Sequence, residues 1–80
     1  MPQALEDIAY WKKSGNKQVQ QKITSLIEAI IENPFEGIGS PEELKYELTG
    51  KWSRRITKEH RLVYDVEKDT INIYQLRFHY

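Results

Sequence analysis

The chain has no cysteine, which removes disulfides, thiolate zinc sites and a cysteine nucleophile together. No stretch approaches the roughly 20 consecutive apolar residues that span a bilayer. The first apolar residues are broken by Glu6 and Asp7 and so do not form a signal peptide. Both absences lead to the expectation of a soluble, cytoplasmic protein with no membrane partner. Repeats, linkers and low-complexity segments are missing as well. Net charge is also lacking, because 12 Lys and Arg balance 12 Asp and Glu.

Eighty residues suit a single domain over 1–80, which buries only about 60 % of the surface its unfolded chain exposes. With 39 % hydrophobic and 30 % charged residues, the composition is that of an ordinary globular protein. The neutrality is uneven. Residues 1–50 carry eight acidic and five basic side chains, a balance of −3, and residues 51–80 carry four and seven, a balance of +3. Lys51, Arg54, Arg55, Lys58 and Arg61 fall within eleven residues of that second half. Such a patch can attract phosphate locally on a neutral molecule. Taken alone, it reads more simply as a solvated strand face.

Pro2 suits the first turn of a helix, where its missing N–H costs nothing. Leu5, Ile8 and Ala9 follow at helical spacing until Ser14-Gly15. A second helix is expected from about Lys17, with Val19, Ile23, Leu26, Ile27 and Ile30 forming one apolar stripe. Asn33-Pro34 ends it, since the residue before proline is pushed out of helical space. After a loop over 34–43 the hydrophobic period changes to two. Lys45–Thr49, Lys51–Thr57, His60–Val66 and Thr70–Phe78 read as four strands. Their short connections force antiparallel pairing. The expected architecture is α+β, with two N-terminal helices packed on an antiparallel sheet of about four strands.

Nucleophilic catalysis has no candidate side chain. His60 and His79 lack the spacing of metal ligands. What remains is acid–base chemistry supported by arginine, and RNA suits it because the substrate brings its own 2′-hydroxyl nucleophile. The protein need only take the 2′ proton, steady the charge on phosphate and protonate the departing 5′ oxygen. Glu42, in the loop leading into the sheet, Arg61 on a strand beside the basic cluster, and His79 next to the chain end could form such a set, with no metal or cofactor. The terminal carboxylate on Tyr80 would favour the imidazolium form of His79. Each has a plain alternative. Glu42 could open a helical turn after Pro41, Arg61 could be one surface charge among several, and His79 could be a frayed end. Aromatic residues interleaved with the arginines can stack RNA bases, although Trp52 and Tyr64 fit a sheet core better.

Three ordered segments carry a resemblance. They are Asn33-Pro34-Phe35-Glu36-Gly37-Ile38-Gly39-Ser40-Pro41-Glu42-Glu43-Leu44-Lys45 with Leu48-Thr49-Gly50, then Trp52-Ser53-Arg54-Arg55-Ile56-Thr57, and then Glu59-His60-Arg61-Leu62-Val63-Tyr64. With the terminal Arg77-Phe78-His79-Tyr80, they closely resemble the signature of the YoeB/Txe toxin family of the RelE/ParE superfamily. The resemblance implies a microbial-ribonuclease-like, RelE-type fold. It further implies a ribosome-dependent, metal-independent endoribonuclease that cleaves mRNA. Glu42 would be the general base, Arg61 the transition-state stabiliser, His79 the general acid, and Tyr80 a positioning residue. Lys45, Lys51, Arg54 and Arg55 would be supporting RNA contacts. Tyr46 stands where the family often has histidine and is given no catalytic role.

The implied partners are a YefM/Phd-like antitoxin, the ribosome with its mRNA, operator DNA only as the toxin–antitoxin complex, and a second copy in a homodimer. Family members usually begin with a short strand, which Met1-Pro2-Gln3 replaces here. A two-residue loop at Lys68-Asp69 would set Arg61 opposite Leu76 and leave His79 on the other face, unless a bulge, another register or a turn intervenes. A second reading keeps the toxin fold without catalysis, as an inactive relative that only binds antitoxin or ribosome. A third, a free-standing nucleic-acid-binding module, is weakened by the zero net charge.

Overall fold

Gly15 and Asn16 divide the two helices. In the computed structural model, which describes residues 2–78, α1 spans Pro2–Ser14 and α2 spans Lys17–Glu32. Gly15 stops α1 by adopting φ +70, the left-handed conformation that suits glycine after a helix. The Asn16 side chain then accepts the Val19 N–H at 3.1 Å, satisfying one of the unpaired donors at the start of α2. At the other end Asn33 is extended, with φ −152 and ψ 106, as the following proline requires.

The stripe expected on α2 is the one that packs. Val19, Leu26 and Ile30 are buried, and Ile23 and Ile27 lie against the same core. The face expected of α1 is not. Ala4, Asp7 and Trp11 turn inward, whereas Leu5 is 66 % exposed and Ile8 and Ala9 are also exposed. The buried Asp7 explains the rotation, because its carboxylate accepts the N–H of Leu76 at 2.8 Å and the Gln3 amide at 2.8 Å. A satisfied polar group can stand on an inward face where apolar periodicity alone would not put it.

Four strands follow: β1 (Glu42–Glu43), β2 (Trp52–Arg55), β3 (Arg61–Glu67) and β4 (Thr70–Gln75). They pair antiparallel in the order β1-β2-β3-β4, as the short connections require. Lys45–Thr49 is not a strand. Tyr46–Leu48 forms a 3₁₀ turn, closed by Leu48 N–H to Lys45 C=O at 3.1 Å and Thr49 N–H to Tyr46 C=O at 3.0 Å. The Thr49 hydroxyl adds a bond to the same Tyr46 carbonyl at 2.6 Å. Alternation of Tyr46 and Leu48 imitates a strand, but these local bonds take the backbone groups first. Pairing with β2 therefore falls upstream, at Glu42 and Glu43. Among the described residues no strand precedes α1.

The β3–β4 hairpin turns at Lys68-Asp69 in the expected register, with Glu67 opposite Thr70 and Tyr64 opposite Ile73. A shift between Val63 and Tyr64 then sets Val63 opposite Gln75. The extra residue is a bulge, which moves everything beyond it by one position. Arg61 therefore does not pair with Leu76, and its N–H donates to the Phe78 carbonyl at 3.1 Å. β4 also ends at Gln75 and not at Phe78.

The core joins Trp11, Val19, Leu26 and Ile30 from the helices with Ile56, Leu62, Tyr64 and Leu76 from the sheet side. Burying these side chains contributes roughly 1.5–3 kcal/mol each. Leu62 and Tyr64 thus face the helices, and alternation along β3 sends Arg61 and Val63 to the opposite face. Tyr64 lies within the core, as its alternation implies, and Trp52 is half-buried against it.

Candidate functional site

Strand register assembles the helix-free face. Glu42 pairs with Ser53, Ser53 with Val63 and Val63 with Gln75. Cross-strand partners share a face, so these four side chains form one row. Two residues along β2 and β3, Arg55 is directly opposite Arg61. Like charges facing each other across a ladder are destabilising by themselves, and an anion between them removes the repulsion. From strand spacing and rise, Glu42 and Arg61 stand about 12 Å apart at their Cα atoms.

Each of these side chains is presented differently. Glu42 is exposed on β1. Arg61 is half-buried and fixed at the start of β3, its Nη1 donating to the carbonyls of Thr57 at 2.8 Å, Lys58 at 3.2 Å and His60 at 3.2 Å. Arg55 is exposed, and its N–H donates to the Gly39 carbonyl at 2.7 Å. That bond is possible because Gly39 has φ +85 and no side chain. A Cβ there would lie 2.7 Å from Leu26 Cδ2 and 3.1 Å from Arg54 Cβ. Lys45 is exposed ahead of the 3₁₀ turn. With Glu42, Leu44 and Tyr46 it lines an open hollow of about 550 Å³, and Tyr46 is 89 % exposed at its rim. Lys51 is half-buried, its ammonium 4.8 Å from the centre of the Tyr74 ring. His79 and Tyr80 lie outside the described residues.

Arg54 departs from its expected role as an RNA contact. It is 0 % exposed. Its guanidinium donates to Tyr64 Oη at 3.1 Å and to the carbonyls of Ile38 at 3.1 Å, Asn33 at 2.6 Å and Glu36 at 3.0 Å. The Tyr64 hydroxyl in turn donates to the Pro34 carbonyl at 2.5 Å. Arg54 is therefore the internal staple of the 33–38 loop, and adjacent arginines on one strand necessarily face opposite sides.

Three residues without a signal of function in the sequence hold Leu76 and Phe78. His60 carries no metal-ligand spacing in the sequence, and its Nδ1 accepts the Phe78 N–H at 2.8 Å. Asp7 and Trp11 hold Leu76, the tryptophan through Nε1 to the Leu76 carbonyl at 2.9 Å. Their spacing with Ala4 on one helical face was the available signal. Tyr74 donates to Asp65 Oδ2 at 2.6 Å. That hydrogen bond, with lesser help from burial and from the charges of Asp65 and Glu67, raises the phenol above its ordinary pKa.

Comparison with known proteins places this geometry. A family model described as the YoeB-like toxin of bacterial type II toxin–antitoxin systems matches residues 1–80. The chain belongs to that family and is of the toxin class of such systems. It is similar to "Toxin YoeB" of Escherichia coli strain K12, 47 % identical over 78 residues, which span 98 % of this chain and 92 % of that protein. Its fold matches the toxin in a YoeB–YefM complex from Staphylococcus aureus at a TM-score of 0.91. The two are 48 % identical, with 100 % of this chain and 92 % of that one covered. A YoeB dimer from the same organism matches at a TM-score of 0.90 with 47 % identity and the same coverage.

Proposed function

We propose that this toxin is an endoribonuclease that cuts mRNA on the ribosome by 2′-hydroxyl attack, without a metal ion. The observation that carries the reading is the face of the sheet turned away from the helices, where the exposed Glu42 shares a row with the buried Ser53 and the facing pair Arg55 and Arg61 lies two residues along. Glu42 takes the 2′ proton as the oxygen closes on phosphorus. Arg61, with Arg55 opposite, steadies the charge that builds on the phosphate oxygens. His79 gives a proton to the departing 5′ oxygen, and Tyr80 positions substrate. The 2′-O–P bond forms and the P–O5′ bond breaks, so the products end in a 2′,3′-cyclic phosphate and a 5′-hydroxyl. Lys45 and Lys51 contribute phosphate attraction at the margin.

The partner is a YefM-like antitoxin, by analogy with the Staphylococcus aureus complex, and the dimer of that organism supports self-association of this chain. Operator DNA would be bound only by the toxin–antitoxin complex. Cleavage of a defined mRNA on programmed ribosomes tests the reading, with wild type beside Glu42→Ala and His79→Ala. Wild-type cuts carrying cyclic phosphate ends, lost in both variants, are expected. Product ends of 5′-phosphate would replace 2′-hydroxyl attack by hydrolysis. A folded wild type that cuts nothing would leave an inactive relative that binds antitoxin or ribosome.

A further inference from the structure

Beyond β4 the chain stops running as a strand and is held residue by residue. α1 grips Leu76 through both backbone groups, Asp7 Oδ2 accepting its N–H and Trp11 Nε1 donating to its carbonyl. Two residues later Phe78 adopts φ +63, a left-handed conformation that is strained for a residue with a Cβ. Such a conformation persists only where its surroundings over-determine it. The Phe78 carbonyl accepts from the Arg61 N–H at 3.1 Å and from Gln75 Nε2 at 3.3 Å. The Phe78 N–H has one acceptor among the described residues, His60 Nδ1 at 2.8 Å.

The imidazole is itself fixed. Its ring meets Trp11 edge-on with centroids 5.0 Å apart and tilts against Phe78 at 5.5 Å. An Nδ1 that accepts a backbone N–H carries no proton, so the ring's own proton is on Nε2.

We propose that His60 is a positioning residue for the chain end. By clamping the Phe78 amide it fixes the backbone immediately before His79 and Tyr80. The inference rests on the nuclease reading, and it assigns His60 no contact with RNA. Side chains on a chain end are ordinarily poorly held, whereas a general acid must sit close to the bond it serves. Misplacement by about 1 Å is enough to cost on the order of 100-fold in rate. The clamp on Phe78 fixes the residue immediately before His79.

The test compares wild type, His60→Leu and His60→Asn in the full chain, with thermal unfolding to establish that each is folded. An asparagine Oδ1 can stand near the place of Nδ1 and accept the same N–H. Two quantities are read: hydrogen exchange at the Phe78 amide by NMR, and kcat and KM for mRNA cleavage on programmed ribosomes. His60→Leu should lose protection at Phe78 and lower kcat by roughly 10- to 100-fold with KM little changed. His60→Asn should recover the protection and most of the turnover. Should His60→Leu not fold, His60→Gln replaces it, its acceptor standing one bond too far out, with the same losses expected. A leucine variant that cuts at the wild-type rate overturns the proposal, as does a folded asparagine variant as slow as the leucine one. Unchanged exchange at Phe78 in His60→Leu overturns it too. A wild type that does not cut overturns the nuclease reading instead, and Phe78 exchange still decides whether His60 holds the chain end.

Discussion

Arg54 and Arg55 are adjacent arginines with opposite surroundings. Arg54 has four hydrogen bonds inside the fold, so Arg54→Ala leaves three loop carbonyls without their donor, while the Tyr64 hydroxyl keeps its bond to Pro34. Urea unfolding should show a loss of roughly 3–5 kcal/mol, about 1–2 for each orphaned carbonyl. Arg54→Lys should recover little of it, because an ammonium cannot reproduce the planar fork. Arg55→Ala should change stability by less than about 0.5 kcal/mol. RNA binding should show its effect, with affinity falling for all sequences and the salt slope dropping by about one. Tyr74 carries a pH prediction. Its pKa is raised in the folded chain, above the unfolded value of about 10. The stability it adds is therefore complete below that value and is lost as pH rises through the folded pKa. Tyr74→Phe should cost about 1 kcal/mol at neutral pH and remove this part of the alkaline decline. Urea midpoints across that range would measure both.

Among the elements, α2 and the β3–β4 hairpin show how far local patterns reach. A five-residue apolar stripe and a two-residue turn were readable in the sequence because each depends on neighbours within a few positions. The turn does so at some strain, since Lys68 adopts φ +55. Lys68→Gly should relieve it and raise stability by about 0.5–1 kcal/mol, seen as a later urea midpoint. Gly39 is the opposite case. Gly39→Ala forces a Cβ against Leu26 and Arg54 in left-handed backbone, and should cost roughly 1–3 kcal/mol in the same measurement. Lys45–Thr49 looked like a strand because alternation of Tyr46 and Leu48 ignores the i to i+3 bonds that a turn can close. The inward face of α1 was hidden for a related reason. Its register is decided by what Asp7 and Trp11 find on Leu76, 69 and 65 residues away, and no local period records that.

At the scale of the whole molecule, α1 and the chain end are one construction. Asp7, Trp11 and His60 hold Leu76 and Phe78 from two separate parts of the sequence. Loosening the N-terminal helix should therefore reach the site proposed for cleavage. Asp7→Ala leaves the buried Leu76 N–H without its acceptor and should cost about 1–3 kcal/mol of stability. Cleavage on ribosomes should slow further than the unfolded fraction explains. An Asp7→Ala protein that is less stable yet cuts at full rate once folded would mean that the two ends are independent.

The sequence by itself determined the class of fold, the helix boundaries at Ser14-Gly15 and Asn33, the antiparallel order of the sheet and the family, through motifs that are contiguous along the chain. Tertiary structure alone decided that Arg54 is internal while Arg55 is not, that Glu42 enters a strand, and that a bulge shifts the end of β4. It also decided that His60 meets Phe78. The physical reason is the same for all four. Each depends on which backbone donor or acceptor is left unsatisfied after distant segments pack together, and a sequence lists those groups without pairing them.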